Sequence, residues 1–342
     1  MDAKNLTRRA TLDDVAAVAG VSPKTVSRVV NGDSAVSEKT RAKVGEAIAE
    51  TGFQINQAAR ALAGARSFLI GLFTINGSSY FFSELYRAAA RECKASAHHL
   101  VLEEYAAGES SYISLYEKGL KSIRCDGVIL PPPVCDDLAL LDALDRDGVR
   151  YVRLAPKLEP ERSTAIYADD HVGAADLARH LWAQGWRRFT VVVGPVDHAS
   201  AAVRRDAFVD TLLGLGCARS EIRLIAYERS NKAYSTMAQL VEAVFDGLRE
   251  QEAVFAFNDE LATRVMLRAR ARGLDLPRDL AIAGFDDSDA AKVTWPTLTT
   301  VRQPVAELAR LAVAELTAYP AKPPRIIRCP VKLIVRDSTK LS

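Results

Sequence analysis

At 342 residues the chain exceeds the usual size of one domain, which predicts two or three folded units. Apolar residues make up 49% and charged residues 26%, an ordinary globular balance, and no run approaches the roughly 20 apolar residues of a membrane-spanning helix. The net charge of +2 is uneven: residues 1–66 hold ten Lys/Arg against seven Asp/Glu, the remainder 35 against 36, so the head alone suits a polyanionic partner. The polar start MDAKNLTRRATLDD lacks the apolar core of a secretory signal, so a cytoplasmic protein is expected. Cys93, Cys125, Cys135, Cys217 and Cys329 are odd in number, scattered and never spaced CxxC, so buried free thiols are expected rather than disulfides or zinc.

In chain order, residues 1–10 read as a loose polar arm. From Thr11 to about Thr51 short helices alternate with tight turns. The segment LDDVAAVAGVSPKTVSRVVN, 12–31, has the offsets that two closely crossed helices need. Ala16 is small where the second helix approaches, Gly20 suits a turn at positive φ, and Val21, Val26 and Val29 supply the apolar contact. Thr11 caps the first helix with Asp14 three residues on, and Ser22 caps the second with Pro23 at its first position. The outer side of that second helix then presents Pro23, Lys24, Thr25, Ser27 and Arg28, with Asn31 at its end, to base edges or phosphates of a major groove. Ser37 caps a third, amphipathic helix through Arg41, Val44 and Ile48.

After Gly52 comes a small-residue stretch, Asn56 to Gly64, too short to hold a helix alone in water. Apolar, strand-like runs then begin at 68–73, 99–105, 127–132, 150–155, 165–170, 189–195, 223–228, 253–259 and 280–287, most followed by helix-length segments such as 173–185 and 204–216. Strands apolar on both faces and alternating with helices predict parallel sheets covered on both sides, with ligands beyond the carboxyl ends of the strands. Nine such runs are too many for one doubly wound unit and predict two similar lobes with a cleft between them.

Together, TLDDVAAVAGVSPKTVSRVVNG, VSEKTRAKV, the hinge ending ALAG, and the later FND (257–259), GFDD (284–287), LTTVRQP (298–304) and PVKLIVRDST (330–339) resemble the lactose/galactose repressor family. The resemblance implies an all-α helix-turn-helix head over 1–52, a hinge over 53–66 and an α/β body over 67–342. That body has the two-lobed fold of periplasmic binding proteins (type I), its first lobe taking about 67–166 and 298–325, its second about 167–297 and 326–340. It further implies a homodimer on a pseudo-palindromic double-stranded operator. Paired hinge helices would enter the minor groove through Asn56, Ala59 and Arg60, with Leu62 as an apolar wedge. With no leucine-heptad tail after Ser338, a dimer is expected over a tetramer.

For the cleft, the resemblance singles out Arg204, four residues before Phe208, and Asp259 with Asn258 as the leading contacts to a sugar effector. Asp286, Asp169 and Gln303 follow, and Asn76, Tyr80, Phe82 and Arg153 are the first-lobe candidates. Arg153, if it faces the cleft, favours a sugar acid or sugar phosphate. Ala207 stands where a glycine is usual in this family. No cofactor is expected. Against an enzyme, the chain has no Walker loop, G-x-S-x-G elbow or HExxH, and Gly214–Arg219 lacks a third glycine and ends a helix. A ligand-switched regulator, most often a repressor, is therefore expected. A sugar-processing enzyme with an accessory DNA-binding head is the alternative, and a transport-type binding protein conflicts with the head.

Overall fold

The computed structural model describes residues 10–30, 33, 35–53, 66–75, 80–105, 111–195, 198–226 and 237–340. The chain divides into two units, residues 1–67 and 68–342. In the first unit, α1 (Leu12–Ala19) begins at Thr11, whose side chain accepts the amide of Asp14 while Asp14 reaches back to the amide of Thr11. Gly20, at φ +64°, ends α1, and α2 (Pro23–Val30) starts at once from Ser22, whose hydroxyl accepts the Thr25 amide. Helix α3 (Glu38–Thr51) starts at Ser37 in the same way. Val15, Ala16, Ala19, Val26, Val44 and Ala47 close the small core, with Val21 and Val29 packed at its edge. Residues 54–65, the expected hinge, lie outside the described residues, as does Asn31.

The second unit has two lobes. The first holds β1 (Leu69–Ile75), α4 (Tyr80–Ala95), β2 (His99–Tyr105), α5 (Tyr112–Lys118), β3 (Gly127–Leu130), α6 (Leu138–Arg146), β4 (Arg150–Leu154) and β5 (Thr164–Ala168). The second holds α7 (Asp170–Ala183), β6 (Arg188–Val193), α8 (Ala199–Gly214), β7 (Ile222–Ala226), α9 (Met237–Phe245), β8 (Glu252–Ala256), α10 (Asp259–Ala271), β9 (Leu280–Ala283) and α11 (Asp289–Val293). Then β10 (Thr300–Arg302), α12 (Val305–Thr317), β11 (Ile326–Cys329) and β12 (Lys332–Ile334) thread back and forth between them.

Both sheets are parallel. The first runs β11-β5-β4-β3-β1-β2, in the register Gly71↔Val128, Val128↔Tyr151 and Arg153↔Ala165. The second runs β7-β6-β8-β9, with Phe189 opposite both Ile222 and Ala253. Their inner strands are buried on both faces, as the continuous apolar runs foretold: β3, β8 and β9 have no exposed residue, while the edge strands β2, β7 and β11 do. Each sheet separates two apolar clusters, so helices cover both of its sides.

The lobe boundaries differ from the sequence expectation at two places. Residues 298–302 belong with the second lobe: Val301 is fully buried in that lobe's core, and Thr299 and Arg302 bridge to Ala283 and Asp286. Residues 326–329 belong with the first, where β11 pairs with β5. The crossings after β10 and β11 are each only a few residues long, marked by Pro304 and Pro330, and such short links carry no periodicity to read. The five cysteines are free and buried, as expected. Among the described residues, no helix is long and apolar enough to cross a membrane, and no cluster of His, Cys, Asp or Glu is arranged to hold a metal ion.

The crossings press closely on α7. A Cβ placed on Gly173 would lie 2.7 Å from both Val301 Cγ1 and Val331 Cγ2, whereas one on Gly45 of α3 would meet nothing within 4 Å. Gly173→Ala is therefore expected to destabilise by about 1–3 kcal/mol through overpacking, although alanine is the better helix former. Gly45→Ala is expected to stabilise by up to about 1 kcal/mol. Thermal melts of the two variants check this, and a Gly173→Ala protein melting at or above wild type would contradict the packing.

Candidate nucleic-acid interface and ligand cavity

On the head, Pro23, Lys24 and Arg28 are exposed along one side of α2, with Thr25 and Ser27 half-buried beside them. Thr11 and Ser22 hold their helix starts: the Thr11 hydroxyl lies 2.8 Å from Asp14 Oδ2, and the hydroxyls of Ser22 and Thr25 share a 2.9 Å hydrogen bond. Arg28 Nε donates to Asp33 at 2.8 Å in an exposed pair. Such pairs are weakly held in water, so a phosphate or a guanine edge can replace Asp33. One small helix thus presents two cations and two hydroxyls around a rigid start, the chemistry that docks on a duplex.

In the body, a cavity of about 150 Å³ lies where the carboxyl ends of both sheets face each other across the crossings. Phe81, Phe82, Leu154, Ile166, Phe257 and Leu308 give it apolar walls. Phe81 and Phe82 meet edge to face with centroids 5.7 Å apart. The polar groups are Asp170, His198, Ser200, Arg204, Asn258, Asp286 and Gln303. Arg204 sits at their centre, 8% exposed. Its Nε donates to Asp170 at 2.9 Å, its Nη1 to the Phe257 carbonyl at 3.0 Å, and its guanidinium lies 3.7 Å from the centroid of Phe285. Gln303, on the chain returning to the first lobe, donates to Asp286 at 2.6 Å. Burial drives the Asp286 carboxyl up to about 7 against the pull of Arg204, and it also raises Asp170, which Arg204 opposes. An apolar wall facing alternating donors and acceptors matches a small polyhydroxylated molecule.

Comparison with known proteins decides the family. The sequence profile of bacterial regulatory proteins of the lacI family matches residues 11–56, and that of the periplasmic binding protein-like domain matches residues 178–339. The chain is 32% identical to the HTH-type transcriptional regulator CelR of Thermobifida fusca, over 97% of this chain and 98% of that one. The chain belongs to the lacI family of bacterial regulators. It is a DNA-binding transcriptional regulator with a helix-turn-helix head and a periplasmic-binding-protein-like body. The fold is similar to that of the lac repressor dimer bound to operator and the anti-inducer ONPF, at a TM-score of 0.75 and 26% identity, covering 98% of this chain and 100% of that one. It is also similar to the CelR–cellobiose complex, at a TM-score of 0.66 and 27% identity, covering 96% and 100%.

Within this regulator, the cavity gathers Phe82, Arg204, Asn258, Asp286 and Gln303 of the expected residues. Four others, Tyr80, Arg153, Asp169 and Asp259, do not line it. Arg153 is fully buried beneath the loop that follows β4: its guanidinium donates to Ser163 Oγ at 3.0 Å, to the Leu158 carbonyl at 2.8 Å and to the Glu159 carbonyl. It shapes that loop and gives no support to an acidic effector. Asp259 points into the second lobe, accepting the Thr300 hydroxyl at 2.5 Å and the Ser288 amide at 2.7 Å, in space left by the missing side chain of Gly284. Burial raises its carboxyl to about 6. Asp169 lies 3.9 Å from Arg328, and its neighbour Asp170 takes the Arg204 contact instead. Tyr80 is half-buried at the start of α4 and does not line the cavity, while Asn76, Asn56, Ala59, Arg60 and Leu62 lie outside the described residues. Asp170, His198, Ser200, Phe81 and Phe257 were missed. Phe81, Asp170 and Phe257 carried a signal, each adjoining a residue the sequence singled out.

A carboxyl raised in the folded state binds a proton that the unfolded chain releases at lower pH. Asp286 and Asp259 therefore contribute stability that is full below the ordinary value of 3.8 and is lost as the pH rises through about 6 and about 7. The melting temperature of the unliganded regulator is expected to fall from about pH 5 to about pH 8, and Asp286→Asn to flatten that fall. Parallel pH profiles for wild type and variant would argue against a protonated Asp286.

Proposed function

We propose that this regulator is a repressor, acting in the cytoplasm as a homodimer on a pseudo-palindromic operator, whose affinity is switched by a neutral sugar held in the cavity. The observation that carries the sugar is the polar cluster around Arg204. Donors and acceptors stand side by side against aromatic and aliphatic walls, and Arg204 is already paired with Asp170. No surplus positive charge remains among the described lining residues for a phosphate or carboxylate. The cellobiose named in the CelR complex supports the same ligand class.

On the DNA side, Lys24 and Arg28 contact the duplex beside Thr25 and Ser27. Asn31 closes the recognition surface, and Asn56, Ala59, Arg60 and Leu62 serve the minor groove. Near-complete switching requires the sugar to prefer one body conformation by about 5.5 kcal/mol. The reading treats the cavity as a binding site without catalysis, so sugar incubated with the regulator is recovered unchanged.

The two sites are separable by mutation. Arg28→Ala is expected to weaken binding to an operator selected from randomised duplexes by roughly 10–100-fold, the size of one lost base contact, with sugar affinity within about twofold of wild type. Arg204→Ala is expected to abolish the sugar-induced rise in melting temperature and leave operator binding in place. Loss of both activities in either variant would refute the separation.

A further inference from the structure

We infer that the sugar trades places with a proton on Asp286: its hydroxyls bind the ionised carboxylate, and the displaced proton passes to solvent. The inference rests on reading the cavity as a sugar site. Four buried carboxylates, Asp170, Asp259, Asp286 and Asp287, gather just past the ends of β5, β8 and β9. Among the described residues, three guanidiniums are shared between two of them. Arg302 and Arg336 both hold Asp287, and Arg204 Nε holds Asp170 at 2.9 Å. Asp259 turns into the second lobe toward Thr300 and Ser288. Asp286 faces the cavity with no guanidinium on its oxygens among the described residues; the Gln303 side chain donates to its Oδ1 at 2.6 Å, which leaves Oδ2 for a ligand.

The groups packed around Asp286 pull its proton in opposite directions. Burial and the neighbouring carboxylates Asp259 and Asp170 favour the protonated form, while Arg204 and the Gln303 donor favour the ionised one. The balance sets the carboxyl at about 7, so the empty cavity keeps a proton there through much of the neutral range. Asp287 beside it is matched by its two arginines, and His198 is the other titratable group of the lining that no arginine holds. A sugar hydroxyl tips this balance. It can donate to a carboxylate or accept from a carboxylic acid, but only the bond to the ionised group is charge-assisted, and that bond is about twice as strong. A ligand hydroxyl on Oδ2 therefore lowers the carboxyl, as Gln303 already does from Oδ1, and the proton leaves as the sugar enters. With the carboxyl lower in the filled cavity than in the empty one, sugar affinity is full above about pH 7 and falls by up to about tenfold per pH unit below it. The regulator thus reads sugar and acidity together.

Calorimetric titration of the full-length regulator with ribose, xylose, glucose, galactose, mannose and cellobiose, in pairs of buffers of different ionisation heat, tests the inference. A sugar that binds is expected to release about 0.5–1 proton at about pH 6 and below about 0.2 at about pH 8.5, with its affinity rising roughly fivefold to tenfold between them. Infrared difference spectra identify the group, even where a variant binds poorly. The C=O stretch of a protonated carboxyl, which a histidine lacks, is expected to fade in wild type on saturation with that sugar. The same band is expected to be weaker in empty Asp286→Asn than in empty wild type. Proton uptake, or binding with no proton exchange at about pH 6, overturns the inference and leaves the sugar reading standing. So does a protonated-carboxyl band as strong in Asp286→Asn as in wild type. Absence of binding by every sugar of the series overturns both.

Discussion

Burying the guanidinium of Arg204 is the constraint around which the body is arranged. A charge taken out of water needs a carboxylate, hydrogen bonds and a polarizable surface together, and Asp170, the Phe257 carbonyl and the Phe285 ring supply them. These partners come from the start of α7, the end of β8 and the segment after β9, so the arginine draws one strand end of the first lobe and two of the second to one point. Asp170 is also the second residue after β5, where the chain leaves the first lobe. The ion pair therefore sits at a crossing, and the cavity that it polarises opens between the lobes.

The same point meets the other crossings through two neighbouring carboxylates. Asp286, at φ +119°, faces the cavity and accepts Gln303, while Asp287, at φ +57°, is buried and gripped by Arg302 at 2.6 Å and by Arg336. Arg302 ends β10 and Arg336 follows β12, so both crossing segments of the antiparallel ribbon are tied to one turn. Non-glycine residues at such φ values persist only where their surroundings over-determine them. Asp286 at the cavity and Asp287 at the paired strands β10 and β12 are adjacent in one turn, so the cavity wall is joined directly to segments that pass between the lobes.

The sequence carried the head almost entirely, because a helix-turn-helix is written in local chemistry: Thr11 and Asp14, Ser22 and Pro23, and Gly20 at positive φ are all short-range signals. Strands β1 to β9 were legible as apolar runs, whereas β10, β11 and β12, three or four residues long and partly exposed, were not. The cavity was legible only in part. Alternation tells which way a side chain points inside a strand, and the informative residues lie just past its end, where alternation stops. Asp169 and Asp170 differ by one position and face different partners for that reason. Arg153 was misread because a loop several residues downstream folds back over it, and Asp259 because its partners, Thr300 and Ser288, come from distant segments. Both are long-range facts about carbonyls and hydroxyls that no local pattern encodes.

The central claim is that a sugar in the cavity and an operator on the head report to each other through one conformational equilibrium. Thermodynamic linkage makes that claim exact in form: if sugar changes operator affinity by some factor, operator must change sugar affinity by the same factor. The direct measurement is operator affinity by fluorescence anisotropy with and without saturating sugar, paired with sugar affinity of the free and operator-bound regulator. The account expects both ratios to depart from unity by at least about tenfold and to agree with each other. Operator affinity that stays the same under saturating sugar would contradict it.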